Sequence, residues 1–278
     1  MSKNVSSADN QQETSSGYNL INHKWGILRD YTPDILSKMS KKFASLLAIL
    51  FTDASVSPKY NNSWRISFGN TSRILIDLFK NCMCEIFKLD EKRIRIRVIN
   101  DNFWIVVVNS KIIGEYLVSK FGTFRTLKYK NGELPKTKLP VKQLMSDNVV
   151  EEFLKVAFSC DGGLCFYPAK RDGKRGGTKW LIRTVFLACH HPKLREDYMF
   201  LLKFLGINAR NVPQDGKIKI ENEKDIRKFA KIVGFVKGVK VTSHSKFWKD
   251  YEKQDVLKLM ISSYKNPSSI YNLSKFLR

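Results

Sequence analysis

Two apolar segments that each end in an aspartate constrain this chain more than any other feature of its sequence. The first, Leu46 to Val56, reads LLAILFTDASV, and the second, Leu154 to Leu164, reads LKVAFSCDGGL. Each combines a helix-like apolar run, one acid (Asp53 or Asp161) and a small residue after the acid. Either segment alone also fits an ordinary core helix with a C-terminal cap. The presence of two copies favours a duplicated architecture.

The pattern that follows the first segment recurs after the second. Each apolar run is followed by two strand-like segments, a helix, two more strand-like segments and another helix. The acids stand 161 − 53 = 108 residues apart, and Lys111 and Lys224 stand 224 − 111 = 113 residues apart. Similar offsets are what an internal duplication produces. The sequence therefore predicts an α+β fold of two pseudo-symmetric αββαββα repeats with antiparallel sheets.

Composition and the positions of glycine and proline divide the chain into five parts. We expect a disordered or loosely docked arm over residues 1–30, a first repeat over 31–121, a linker over 122–147, a second repeat over 148–236 and a basic helical extension over 237–278. The linker assignment rests on Gly132, Pro135 and Pro140 and on the lack of a long apolar period. The extension has nine Lys and Arg against three Asp and Glu.

The charge of the chain points to a polyanionic partner. The 278 residues include 49 Lys and Arg against 26 Asp and Glu, a formal net charge of +23. Nucleic acid is the simplest such partner. A membrane is not expected, because the longest largely apolar run, Phe43 to Phe51, is too short to span a bilayer. Five scattered cysteines and a polar N-terminus favour an intracellular, reducing location, either cytoplasm, nucleoid or a eukaryotic organelle.

Basic residues recur at positions suited to nucleic-acid contact. Arg93, Arg95 and Arg97 alternate with Ile94, Ile96 and Val98, so a strand over 92–99 would carry the arginines on one face. That face is either a solvated edge or a surface for phosphates and base edges. The segment 170–177 reads KRDGKRGG and is either a solvated turn or a loop that follows a phosphate backbone.

Both apolar segments resemble the LAGLIDADG motif of homing endonucleases. Asp53-Ala54-Ser55-Val56 and Asp161-Gly162-Gly163-Leu164 stand where that family has D-G-S-I. Phe51 and Ser159 stand where the family often has an inner acid, which is a departure from the pattern. The resemblance covers roughly residues 37–236. It implies a monomer whose motif helices form the interface between two halves, with the curved sheets forming a DNA-binding saddle.

The resemblance also implies roles for particular residues. Asp53, Asp161 and the residues after them, Ala54 and Gly162, would hold Mg²⁺, with Mn²⁺ or Ca²⁺ as substitutes; carboxylates suit such hard cations. Lys111 and Lys224 stand at the strand-to-helix junctions where the family has a catalytic basic residue, although each also fits a lysine at an exposed helix start. The positions for water-ordering side chains fall at Asn70 and His190.

The resulting hypothesis is a metal-dependent, site-specific homing endonuclease, encoded in an intron or similar mobile element, that cuts both strands of a long asymmetric DNA target. The alternative is a non-cleaving nucleic-acid binder of the same fold, such as an RNA maturase that assists intron splicing. The basic residues expected to contact double-stranded DNA are Arg65, Arg93, Arg95, Arg97, Lys170, Arg171, Lys174, Arg175, Lys179, Arg183, Lys217 and Lys219.

Overall fold

The computed structural model describes residues 39–60, 62–100, 102–170, 179–242, 245 and 247–266. The first half of this part of the chain forms α1 (Lys41–Phe51), β1 (Ala54–Pro58), β2 (Trp64–Asn70), α2 (Arg73–Phe87), β3 (Ile94–Asn100), β4 (Phe103–Asn109) and α3 (Lys111–Phe121). The second half forms α4 (Val141–Leu144), α5 (Asp147–Cys160), β5 (Gly162–Lys170), β6 (Lys179–Ala188), α6 (Pro192–Phe204), β7 (Arg210–Val212), β8 (Lys217–Ile220), α7 (Glu223–Ile232) and α8 (Lys253–Ser262).

The two sheets share one topology. The first has the strand order β1-β2-β4-β3 and the second the order β5-β6-β8-β7, and all neighbouring strands are antiparallel. Each sheet is preceded by a motif helix, interrupted by one helix and followed by another. The predicted α+β class with two αββαββα repeats is therefore confirmed. The domain boundaries between and around the repeats stay predictions.

The motif helices α1 and α5 pack against each other. Their facing side chains Ala48 and Val156 are completely buried, and Ser45 Oγ donates to Glu152 Oε1 across the interface at 2.8 Å. Helix α1 begins at a serine cap, because Ser40 Oγ accepts the amide hydrogen of Phe43 at 3.2 Å. The packing of these helices places their C-terminal ends, and the acids that follow, side by side.

Side chains alternate between two faces of each sheet. On the buried face lie Ile66 and Phe68 of β2, Val106 of β4, and Val185 and Leu187 of β6, all with no exposed surface. Helices cover this face in both halves. Because the period of a strand is two residues, the neighbouring positions point to the opposite face, which we call the open face. The open faces are where the basic residues must be sought.

One strand boundary differs from its prediction. Strand β3 begins at Ile94, and Glu91–Arg93 forms a single 3₁₀ turn before it. The turn forms because the Asp90 side chain accepts the amide hydrogen of Lys92 at 2.9 Å. Arg93 is exposed but lies outside the strand, so the expected row of three strand arginines is reduced to Arg95 and Arg97.

The segment after α7 wraps the edge strand β5. Trp248 stacks on Phe166 with ring centroids 5.3 Å apart, and its indole Nε1 donates to the Phe166 carbonyl. On the other face of the strand, Phe247 stacks on Tyr167 at 6.0 Å. Consecutive aromatic residues thus straddle β5. In the part of the chain that the structure describes, every helix is too short or too polar to cross a membrane. The predicted N-terminal arm and residues 267–278 lie outside the described residues.

Trp248 makes the post-α7 segment part of the core. It is only 4% exposed, so Trp248→Ala should lower the free energy of unfolding by about 3–5 kcal/mol through lost apolar burial and the resulting cavity. Denaturant unfolding checks this. The matched control is Lys249→Ala at the exposed neighbouring position, which should unfold within about 0.5 kcal/mol of the original protein. Equal stability of the two variants would show that the segment is only loosely attached.

Candidate functional site

The two predicted acids meet at the ends of the motif helices. Asp161 is the C-cap residue of α5, and Asp53 follows the C-cap residue Thr52 of α1. Their carboxyl groups lie within hydrogen-bonding reach of each other. Both side chains are partly buried, at the point where each chain turns from helix into the first strand of its sheet. The duplication has therefore brought residues 108 positions apart, 161 − 53, into one pair.

Burial and mutual repulsion make this pair hold a proton. Burial, together with the negative charge of Asp53, raises the pKa of Asp161 to about 8, and burial is the larger cause. Burial also raises the pKa of Asp53, although hydrogen bonds with Asp161 and Asn70 oppose the rise. Two carboxylates this close cannot both ionise easily without a cation. The pair is thus an anionic site that requires positive charge.

Asn70 fixes the orientation of the first acid. Its Nδ2 donates to Asp53 Oδ2 at 2.9 Å, while its Oδ1 accepts the amide hydrogen of Ser72 at 2.8 Å. The second bond holds the amide group in place because Ser72 is the N-cap residue of α2. The structure therefore places Asn70 at the acid pair. Its predicted water-ordering role stays a prediction.

A lysine that sequence reasoning missed lies beside both acids. Lys253, the first residue of α8, is 5% exposed, and its Nζ donates to the Ser159 carbonyl at 2.8 Å and to the Gly162 carbonyl at 2.7 Å. Burial lowers the pKa of Lys253 to about 8, partly offset by Cys160 and the two acids. The sequence held no signal for this residue, because it is one of nine basic residues in the extension.

Several backbone contacts hold Lys253 in place. Ser159 Oγ accepts the amide hydrogen of Val236 at 2.8 Å, and Gln254 Oε1 accepts that of Phe235 at 2.9 Å. The Lys253 amide donates to the Val239 carbonyl at 2.9 Å. Ser159 Oγ also donates to the Lys155 carbonyl at 2.7 Å, which an ionised acid at this position could not do.

The predicted catalytic lysines do not reach the acids. Strand β4 ends at Asn109, which pairs with Arg65, whereas Asp53 contacts Asn70 at the other end of β2. These ends are roughly 17 Å apart along the strand, farther than a lysine side chain extends. Lys111 follows β4 and lies 3.8 Å from Glu115 Oε1 instead. The expectation that Lys111 joins the acid pair is wrong, because the direction of β4 carries the chain away from it.

The same strand direction displaces the second lysine. Strand β8 starts at Lys217 beside Ala188, whose amide donates to the Asp161 carbonyl at 3.0 Å, and it ends at Ile220 beside Val185. Lys224 comes after that far end, exposed in the first turn of α7. The expectation that Lys224 joins the acid pair is also wrong, and Lys224 is instead a lysine at an exposed helix start.

The second water-ordering position belongs to a cysteine. Phe68 pairs with Ala54 and Leu187 pairs with Gly162, so the residue that matches Asn70 is Cys189, not His190. Burial raises the Cys189 pKa to about 11, which keeps the thiol neutral. His190 is exposed, and its carbonyl accepts a bond from Arg195 Nη1 at 3.0 Å. The two halves therefore differ at this position of the site.

Five of the predicted DNA contacts lie on the open faces. Strand register places Arg65, Arg95 and Arg97 on the open face of the first sheet, and Lys217 and Lys219 on that of the second. Arg171, Lys174 and Arg175 lie outside the described residues. The backbones of Lys170 and Lys179 pair at the outer end of the β5–β6 hairpin.

Arg183 does not lie on an open face. It shares the buried face of β6 with Val185 and Leu187. Its guanidinium donates to Ser263 Oγ at 2.8 Å and to the Ser263 carbonyl at 2.9 Å, and it lies 4.4 Å from the Tyr264 ring centroid. The prediction of DNA contact is therefore wrong for Arg183, which instead anchors the end of α8.

The acid pair is chemically suited to a divalent cation. It offers oxygen ligands that a hard metal prefers and a negative charge that the metal would neutralise. The Gly162 carbonyl, a predicted ligand, already accepts the Lys253 bond but retains a second lone pair. The described residues contain no group of three or more His, Cys, Asp or Glu side chains placed for a metal. Any metal would therefore depend on these two acids with carbonyl, water or substrate oxygens.

The chain is similar to a curated protein and to several solved structures. No family model matches the chain. A curated relative, the replication factor C small subunit of Methanocaldococcus jannaschii, is 25% identical over 238 residues, which are 78% of this chain and 11% of that protein. The chain thus spans about a tenth of the length of that relative.

Solved structures similar to this chain are homing endonucleases. The LAGLIDADG meganuclease I-AabMI bound to uncleaved DNA is 11% identical, with 81% of this chain and 91% of that chain covered and a TM-score of 0.49. A mutant of I-SmaMI is 14% identical, with 86% and 96% covered and a TM-score of 0.48. I-DmoI in complex with DNA and Mn is 16% identical, with 69% and 96% covered and a TM-score of 0.44.

The raised pKa of Asp161 has a definite consequence for stability. Between the ordinary value of 3.8 and about 8, the folded state holds the Asp161 proton more tightly than the unfolded state does. Stability in EDTA should therefore fall as pH rises through that window. The lowered pKa of Lys253 affects stability only above about pH 8. Between that pH and the ordinary lysine pKa of 10.5, stability rises with pH. The window below pH 8 thus reports on the two acids, Asp53 and Asp161, and not on Lys253.

Thermal unfolding between pH 4 and 8 measures this effect. Asp161→Asn should remove most of the decline, so the variant should gain stability relative to the original protein as pH rises. Asp77→Asn, at an exposed carboxylate paired with Arg73, is the control and should leave the decline in place. Parallel profiles for the original protein and Asp161→Asn would contradict the assignment.

Proposed function

We propose that this chain is a metal-dependent, site-specific DNA endonuclease of the homing type that cleaves both strands of a long asymmetric target as a monomer. The observation that carries the proposal is the acid pair. Two duplicated halves bring Asp53 and Asp161 into contact between two sheets. A single chain thus supplies one acid for each strand of a duplex.

The charge distribution supports double-stranded DNA as the substrate. Basic side chains occupy the open faces of both sheets, while helices cover the opposite faces. The major groove is wide enough for a β-ribbon, and its base edges carry a distinct pattern of donors and acceptors. The net charge of +23 would attract the phosphates. Each sheet would then follow one half of the target.

Each residue around the acids has a role that follows from its contacts. Asp53 and Asp161 would hold Mg²⁺, which, when bound, supplies an activated water and stabilises the leaving oxygen in phosphodiester hydrolysis. Asn70 keeps the Asp53 carboxylate in one orientation through its 2.9 Å bond. Lys253 stabilises the end of α5 by donating to two carbonyls, and its charge offsets the repulsion between the acids.

One observation favours a second candidate function. Lys253 already supplies positive charge to the acid pair from within the protein. A non-cleaving nucleic-acid binder, such as an RNA maturase, would need the acids only as part of the helix interface. Binding to structured RNA in preference to duplex DNA, without cleavage of either in Mg²⁺, would support this alternative.

We also propose an intracellular location for the protein and an origin in an intron or similar mobile element. The location is supported by the cysteines, all five of which are free thiols. The origin rests on the motif resemblance alone. Incubation with Mg²⁺ and an intron-less allele of the host gene, followed by mapping of the cut ends, tests both the activity and the origin.

Loss of either acid should stop cleavage without stopping binding. Asp53→Asn or Asp161→Asn removes a metal ligand but no phosphate contact, so duplex affinity should stay within about tenfold while double-strand cleavage is lost. Gel mobility shift and cleavage assays on one duplex give the two readouts. Asp77→Asn on the surface of α2 is the control and should cut normally. Full cleavage by either acid variant would exclude that acid from the mechanism.

Loss of the Lys253 ammonium should slow cleavage about as much as loss of a preorganised electrostatic group does. Lys253→Met retains much of the buried stem but removes the ammonium, and cleavage should fall by about 10²-fold with duplex affinity within tenfold. Lys258→Met on the same helix is the control, because Lys258 is exposed and pairs only with Asp255. Thermal unfolding verifies that both variants fold. Unchanged cleavage by folded Lys253→Met would restrict this lysine to a structural role.

A further inference from the structure

The open faces of the two sheets differ in chemistry, although their topology is the same. We propose that the first sheet reads guanines through arginine side chains, and that the second sheet reads thymine methyl groups through an apolar, aromatic surface. This inference rests on the proposed function, since it requires that the open faces meet duplex DNA. It adds the chemical character of each half of the target.

The open face of the first sheet carries arginine and serine on β1, β2 and β3, and the apolar residues Phe103, Ile105 and Val107 on β4. Register places Ser55, Ser57, Arg65 and Ser67 opposite one another on β1 and β2, and Arg95 and Arg97 on the edge strand β3. No residue on this face of the four strands is acidic. The arginines and serines of this face therefore have no carboxylate partner on the face itself.

The arginines of this face are prepared for an external partner. In the described part of the chain, none of Arg65, Arg95 and Arg97 forms an ion pair with a carboxylate. The Nε atom of Arg65 is buried and has no hydrogen-bond partner there. Val107, which pairs with Arg95, is only 7% exposed, so longer neighbouring side chains cover it. A buried donor without a partner is costly, and a base or phosphate oxygen would satisfy it.

On β5 and β6 the corresponding face of the second sheet is apolar, whereas β8 carries Lys217 and Lys219. Register places Cys165 and Tyr167 of β5 together with Ile182, Thr184 and Phe186 of β6 on the open side. Cys165, Thr184 and Phe186 match Ser57, Arg65 and Ser67 of the first sheet, whereas Tyr167 and Ile182 lie on the part of the longer β5–β6 hairpin that extends beyond β1 and β2. The hydroxyl of Thr184 adds little polarity, because the residue is only 7% exposed.

Aromatic rings build up this apolar surface. The Phe186 ring lies over Gly163, where an added Cβ would come within 2.7 Å of the ring. At the other end of the hairpin, Phe247 extends the surface by stacking on Tyr167 at 6.0 Å. The surface therefore continues from beside Asp161 to the segment that wraps the edge strand.

The cations of the second face are engaged within the protein. Lys219 Nζ donates to Asp215 Oδ2 at 2.7 Å, and Arg210 Nε donates to Glu221 Oε2 at 2.9 Å. Lys217 Nζ lies 4.8 Å from the Phe186 ring centroid. None of these groups presents an unpaired guanidinium to a ligand. The second face therefore differs from the first face, with its three arginines, in the hydrogen-bond donors that are available to a ligand as well as in composition.

These two surfaces suit different base edges. Arginine forms a bidentate pair with O6 and N7 of guanine, and apolar side chains such as phenylalanine contact the thymine C5 methyl group. The half of the target under residues 54–109 should therefore be rich in guanine contacts. In the half of the target under residues 162–220, the protein should distinguish thymine from other bases by contact with its methyl group.

Selection from a randomised duplex library with the full-length protein in EDTA, where no strand is cut, gives the preferred target. Two base analogues are then placed in each half of that target. Replacing guanine by 7-deazaguanine should weaken binding only in one half, and replacing thymine by deoxyuridine should weaken binding by roughly fourfold per contacted methyl only in the other half.

The variant Arg97→Ala identifies which half of the target each sheet contacts. This variant should lose about 5- to 100-fold in affinity and lose the 7-deazaguanine effect, while the deoxyuridine effect in the other half persists. Arg73→Ala on α2 is the control, because Arg73 lies on a helix and pairs with Asp77, and it should change neither effect.

The outcomes separate this inference from the proposed function. Equal analogue effects in both halves, or a deoxyuridine effect in the half that responds to Arg97→Ala, would overturn the inference and leave the endonuclease proposal intact. A full-length protein that retains no duplex from the library would overturn both.

Discussion

The contact between helices α1 and α5 is the constraint on which the rest of the structure depends. Small or tightly packed side chains such as Ala48 and Val156 allow the helices to approach, and the approach forces two carboxyl groups together at their C-terminal ends. Two buried, neighbouring acids are unfavourable by themselves, because desolvation and repulsion both oppose ionisation. A protein that retains such a pair must supply positive charge to it. Lys253 is one such source within the protein, and a divalent cation would be another under the proposed function.

The segment after α7 is therefore an integral part of the site. It contributes the buried ammonium of Lys253 and the indole of Trp248, which closes over Phe166. It also protects the edge strand β5, since residues 247 and 248 lie on its two faces. Gly238 in this segment lies against Ile74 of α2, at a distance that leaves no room for a side chain. The extension thus touches the first repeat as well as the second.

Sequence patterns were sufficient for the architecture and for the acids, but not for the cation between them. Hydrophobic periodicity identified the αββαββα order because each element buries one regular face. Lys111 and Lys224 were placed at the right junctions in the chain, yet β4 and β8 carry those junctions away from the acids. The sequence does not reveal the role of Lys253, because its environment is created when a segment 253 − 161 = 92 positions after Asp161 folds back onto α5. The positive charge of Arg183 was misleading, because strand alternation places this residue on the buried face with Val185, where its guanidinium donates to Ser263 after α8.

The position of Lys253 so late in the chain has a consequence for synthesis. At about 5–20 residues per second, the ribosome needs roughly 5–20 seconds after Asp161 to add the 253 − 161 = 92 residues up to and including Lys253. During that interval both acids already exist, but the lysine that compensates them and the tryptophan that covers the edge strand do not. A nascent or prematurely terminated chain therefore has an incomplete centre. The order of residues along the chain therefore delays completion of this centre until Lys253 has been synthesised.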